Sequence, residues 1–124
     1  MHVKHKGHKL LLGHNASGHS CPTARRAELS IDLDHLLIPV RDRVASARLL
    51  ASLLGVPWAE TGVGPFSPVY VNDGLTLDFD QADSAYPVQH YCFRVSGQEF
   101  DAILGRIRAA GIEYRSTVQG PVDM

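Results

Sequence analysis

Two histidines, His35 and His90, stand 55 positions apart, each in a strand-like run that leads into a helix-like one. The first copy reads Asp34-His35-Leu36-Leu37-Ile38-Pro39-Val40 and closes on Leu53-Leu54-Gly55-Val56. The second reads Gln89-His90-Tyr91-Cys92-Phe93-Arg94-Val95 and closes on Ala109-Ala110-Gly111-Ile112. Val40 and Val95 repeat the offset of 55, and Gly55 and Gly111 lie 56 apart. Neutral imidazole is a common ligand of divalent metals. A duplicated unit with histidines at matching positions points to two modules facing one shared site, and so to a metal centre.

Other candidates follow from strand alternation. His90, Cys92 and Arg94 share one face, and Tyr91, Phe93 and Val95 share the other. Arg94 would bind an anionic substrate or form a surface ion pair. Trp58, Phe66 and Tyr70 would line an apolar pocket or pack as core. Tyr91, Phe93 and Phe100 read as core between sheet and helix, and Cys92 as a small buried hydrophobe.

The elements that must position these groups are legible in outline. Ile31 to Val40 is dense in branched apolar residues and short enough for a strand. Asp42 is a helix N-cap, with Val44, Ala47, Leu50, Ala51 and Leu54 as the apolar stripe. Gly55 fits the left-handed residue that closes a helix. Val56 to Thr61, Phe66 to Val71 and Leu75 to Phe79 read as three further strands. Asn72-Asp73-Gly74 is the hairpin turn between the last two. The first module is therefore βαβββ. The second begins likewise, with Ser96 and Glu99 as a capping box. Phe100, Ile103, Leu104 and Ile107 form its helical stripe, and Ile112 to Thr117 its next strand. The offset puts its last strand at about 130–134, beyond Met124. The second module is expected to be incomplete and its sheet to expose an edge that invites pairing with a second copy.

Composition is that of an ordinary globular domain: 124 residues, 44% hydrophobic, 20% charged, net charge −1. Nothing in it favours nucleic acid, and no segment reaches the ~18 apolar residues of a membrane span. Residues 1–29 differ from the rest. They hold all three lysines and five of the seven histidines, with several glycines and serines and no sustained apolar period. They read as a flexible His/Lys-rich tail outside the fold, in which His5 and His8 could hold a soft metal weakly. Residues 30–124 read as one domain, with module 1 at about 31–80 and a partial module 2 at about 88–124. Cys21 and Cys92 fit neither a metal motif nor a disulfide framework, which favours a reducing, cytoplasmic setting.

Residues 31–117 resemble the vicinal oxygen chelate superfamily, which includes glyoxalase I, extradiol dioxygenases and bleomycin-resistance proteins. The resemblance rests on Asp34-His35, Pro39-Val40-x-Asp42, Ala45-Ser46-Ala47-Arg48 and Leu53-Leu54-Gly55. It continues through Asp73-Gly74-Leu75-Thr76-Leu77-Asp78-Phe79, Gln89-His90-Tyr91-x-Phe93 and Phe100-Asp101-x-Ile103. It implies an α+β fold of paired βαβββ modules forming a cupped mixed sheet, helices outside, around a divalent metal. His35 and His90 take the positions of the histidine ligands, and Asp78 that of a glutamate in glyoxalase-like members. The usual second-module glutamate follows a Gly-His-x-Leu-Glu ending. Gly7-His8-Lys9-Leu10 echoes that ending with Leu11 in the glutamate's place, and is read as coincidence.

Two imidazoles and one carboxylate on one side of a metal leave positions open for substrate or oxygen. The expected function is that of a metal-dependent enzyme, glyoxalase-like or dioxygenase-like, acting on a small oxygenated substrate as a homodimer. Iron, manganese, zinc, nickel and magnesium are not distinguished. The alternatives are a non-catalytic small-molecule-binding protein of the bleomycin-resistance kind and an inactive truncated remnant.

Overall fold

The computed structural model describes residues 2–5 and 8–13 as strands, and residues 31–117 and 119–123 with their side chains. In chain order the elements are β1 (His2–His5), β2 (His8–Gly13), β3 (His35–Val40), α1 (Arg43–Leu54), β4 (Ser67–Asn72), β5 (Leu75–Gln81), β6 (Gln89–Arg94), α2 (Gly97–Ala109) and β7 (Tyr114–Arg115). They build two sheets. One has the order β3-β5-β4 and the other β6-β2-β1-β7.

Alternation decides the first sheet. Ile38 and Val40 of β3, Leu77 and Phe79 of β5, and Val69 of β4 are buried and pack with Ala47 and Ala51 of α1. The opposite face carries His35 and Leu37, both exposed. β3 runs parallel to β5, with His35 opposite Thr76 and Leu37 opposite Asp78. β4 runs antiparallel to β5, with Tyr70 opposite Thr76 and Pro68 opposite Asp78. Asn72 Oδ1 accepts from Gly74 N at 2.8 Å in the turn between them, as an Asx turn does.

Local chemistry sets the helix ends as the sequence indicates. Asp42 caps α1, its carboxylate accepting from Ala45 N at 2.9 Å. Gly55 closes α1 at φ +72, and a Cβ there would lie 3.0 Å from the Arg106 guanidinium. Arg106 itself donates to Leu53 O at 3.0 Å, so a cation of α2 satisfies the carbonyl end of α1. Ile103 and Ile107 of α2 bury against Leu53 and Tyr114, while half-buried Phe93 packs on both core clusters.

Ser96 and Glu99 form the capping box at the start of α2: Ser96 N donates to Glu99 Oε2 at 2.8 Å and Glu99 N to Ser96 Oγ at 3.2 Å. The hydrogen bonds from Ser96 hold the Glu99 carboxyl below its ordinary range. A depressed carboxylate stabilises the fold above its unfolded pKa, and that contribution is lost as pH falls through the folded value. Glu99→Gln is therefore expected to lower the neutral plateau of a thermal-stability-versus-pH profile while leaving its acid end nearly unchanged, so that the acid limb flattens.

Several expectations are corrected. The strand foreseen from Ile31 begins only at His35, residues 31–34 being exposed coil. Val56 to Thr61 is not a strand; Trp58 makes a single bridge to Val69, because Pro57 has no N–H to extend a ladder. Ile112 to Thr117 shrinks to Tyr114–Arg115. The largest difference lies at the other end of the chain. Residues 2–5 and 8–13, expected in a tail outside the fold, form β1 and β2 within the second sheet. Followed from β6 onward, the second module does stop short, with no strand after β7 among the described residues. β6 pairs on one side with β2, parallel, from Gln89 opposite His8 to Arg94 opposite Gly13, and stands at the edge of that sheet among the described residues. Residues 14–30, including Cys21, lie outside the described residues.

Candidate metal site

β3 places His35 on the face of the first sheet away from α1, in a row that runs Tyr70, Thr76, His35 across the three strands. The next row on that face runs Pro68, Asp78, Leu37. Asp78 is half-buried and Tyr70 and Leu37 are exposed apolar surface, 41% and 52% respectively. His35 and Asp78 thus sit diagonally on neighbouring strands, close enough for the carboxylate charge to act on the ring.

His35 has a second acidic neighbour. Its Nδ1 donates to Asp34 Oδ2 at 2.8 Å. That bond, against an opposing desolvation and with the charges of Asp34 and Asp78 adding, raises the His35 pKa above its ordinary value. A carboxylate on Nδ1 fixes ring orientation and tautomer and leaves Nε2 as the free lone pair, the arrangement found behind metal-bound histidines. The pair is also visible in sequence as Asp34-His35. A raised pKa means that His35 stays protonated to higher pH, and its charge-dependent stabilisation is lost as pH rises through that value. Asp34→Asn is expected to lower the His35 pKa, read from the imidazole proton shifts in an NMR titration.

In the second sheet β6 exposes His90, Cys92 and Arg94 and turns Tyr91 and Phe93 toward the core. Burial raises the Tyr91 hydroxyl pKa. The register partner of His90 is Lys9. Trp58 is half-buried and packs on the core of the first module, the bland one of its two readings. Arg94 lies exposed on the His90 face.

Both imidazoles are thus exposed at equivalent strand positions of their modules, and Asp78 stands beside one of them. The structure does not gather the three into a preformed cluster: among the described residues no group of three or more His, Cys, Asp or Glu side chains could hold a metal as it stands. In donor type the set fits a divalent ion, two nitrogens and one carboxylate with coordination positions to spare. Among the described residues no helix is long and apolar enough to cross a membrane.

Among solved structures, the oxidase ChaP-H2 matches at a TM-score of 0.72 and 37% identity, over 77% of this chain and 76% of that one. The oxidase ChaP-H1 matches at 0.67 and 38%, over 72% and 71%. A possible glyoxalase from Bacillus cereus is a weaker match, at 0.49 and 29%, over 66% and 76%. No family model matches the chain. No curated protein matches it either. The repeated strand–helix modules, the matched histidines and 37% identity to ChaP-H2 over 77% of this chain lead to one conclusion: the chain belongs to the vicinal oxygen chelate superfamily.

Proposed function

We propose that the protein is a divalent-metal-dependent oxidase that acts on a small molecule bearing neighbouring oxygen atoms, with dioxygen as the electron acceptor. The observation that carries this reading is the equivalence of His35 and His90, each exposed on the first strand of its module. The likeness to two proteins described as oxidases supports the reaction class.

His35, His90 and Asp78 are the residues that would hold the ion, and when bound it would supply Lewis-acid chelation of the adjacent substrate oxygens. Asp34 orients the His35 ring through Nδ1 and keeps Nε2 directed away from itself. Arg94, on the His90 face, offers a fixed positive charge to an anionic substrate oxygen. Tyr70, in the His35 row, and Leu37, in the next, offer apolar surface for the carbon skeleton. His35→Ala and His90→Ala are the test. Each should abolish metal-dependent dioxygen uptake with a catechol-type or hydroxyketone substrate panel, and uptake unchanged in either variant rejects the assignment.

A further inference from the structure

The two sheets share one pairing topology, three strands and a bridge in the first against four strands in the second, although the chain visits them in different orders. In the first sheet β3 pairs parallel with β5, β5 antiparallel with β4, and β4 antiparallel with the bridge at Trp58. In the second, β6 pairs parallel with β2, β2 antiparallel with β1, and β1 antiparallel with β7. The same sequence of three pairings appears in both.

Registers agree as well as directions. Leu36 faces Leu77 in the first sheet, and Tyr91, 55 residues later, faces Leu10 in the second. Leu77 faces Val69, and Leu10 faces Val3. Val69 faces Trp58, and Val3 faces Tyr114, which is Trp58 plus the 56 residues that also separate the two helix-closing glycines. Three independent pairings therefore give one consistent set of equivalences: Leu10 with Leu77, Val3 with Val69, Tyr114 with Trp58. The residue type is identical in the first two and aromatic in the third. Gly7 precedes His8 as Gly74 precedes Leu75.

We propose that the hairpin of β1 and β2 is the second module's own third and fourth strands, transposed ahead of the first module in chain order, and that it seats on β6 of the same chain. The echo of the second-module ending at Gly7-His8-Lys9-Leu10 is then the ending itself. The transposition needs little rerouting. Asp123 N donates to Tyr114 O at 3.0 Å and the Asp123 carboxylate accepts from Ser116, so residue 123 returns to β7, the strand that pairs with β1. A short connection from there would restore the ordinary order.

One consequence bears on the site and rests on the metal reading above. Leu11 occupies in the second module the position that Asp78 occupies in the first, since Cys92 faces Leu11 and Leu37 faces Asp78. The second module then brings a histidine and no carboxylate at that position, and the first brings both. The strand assignment itself does not depend on any metal.

Disulfide trapping in the full-length chain tests the proposal. Neighbouring strands run about 4.8 Å apart, within the Cα separation that a disulfide spans. Leu11→Cys in a Cys21→Ser background should form an intramolecular link to the free Cys92 on mild oxidation, identified in a proteolytic digest of the monomer by mass spectrometry. His2→Cys in the same background is the control, because His2 is the partner of Leu11 one strand further out, about 10 Å from β6 and out of reach. A link between two chains, or equal linking in both variants, overturns the assignment. Hydrogen exchange on the unaltered protein guards against a variant that fails to fold. Amides of residues 8–13 should be protected and lose protection together with those of 89–94 in mild denaturant. Exchange of residues 8–13 at unprotected rates contradicts the proposal.

Discussion

Phe79→Ala should cost about 3–5 kcal/mol of stability, the range for removing a buried aromatic side chain. The ring is 3% exposed and belongs to the cluster that joins the first sheet to α1. It sits on β5, the central strand of that sheet, flanked by Ile38 of β3 and Ser67 of β4. A cavity there cannot be closed by one loop moving inward, because strands hold the lining on both sides. Domains have only ~5–15 kcal/mol to lose, so the variant should give up a large fraction of its stability. Urea unfolding would show a lower midpoint at nearly unchanged slope. Asp78 is the preceding residue on the other face of the same strand, so the change should also weaken whatever the His35 row binds.

His35→Ala and His90→Ala should behave in the opposite way: a large functional loss with almost no loss of stability. The His35 side chain is 61% exposed, its hydrogen-bond partner among the described residues is its sequence neighbour, and His90 is exposed on β6. Surface substitutions of this kind usually move stability by within about 0.5 kcal/mol. Removing only an outer-shell partner of a metal ligand costs ~10–100-fold in affinity or activity. Removing the ligand itself should exceed that, so each alanine should lower metal affinity by more than about 100-fold. Asp34→Asn belongs to the milder outer-shell class. The ordering His35→Ala, then Asp34→Asn, then wild type separates a ligand pair from two unrelated surface imidazoles.

Much of this arrangement is legible in the sequence because local rules determine it. β3, β5 and β6 follow from period-two alternation, which also puts His35 and His90 on the faces away from the core. Asp42, Gly55, Ser96 and Glu99 are recognisable as helix ends because their capping bonds reach only three or four residues. The hairpin of β1 and β2 is not recognisable in this way. Its pairing with β6 joins residues 81 positions apart, and nothing in a short window encodes such a partner. Its lysines and histidines make that stretch read as a solvated tail. The Trp58 strand failed for a different reason: the apolar run is there, but Pro57 cannot take its place in a ladder. The relative placement of His90 and the His35–Asp78 pair depends on how two modules meet, which is set by side chains such as Phe93 and Arg106 rather than by any motif.

The two-histidine site is tested most directly by counting metal ions per chain. Purified wild-type protein, His35→Ala and His90→Ala would each be loaded anaerobically with a divalent metal, desalted and analysed by elemental mass spectrometry beside circular dichroism to verify folding. One ion per folded wild-type chain and a near-complete loss in both variants is the predicted result. Full retention in either folded variant would contradict a centre shared by the two modules.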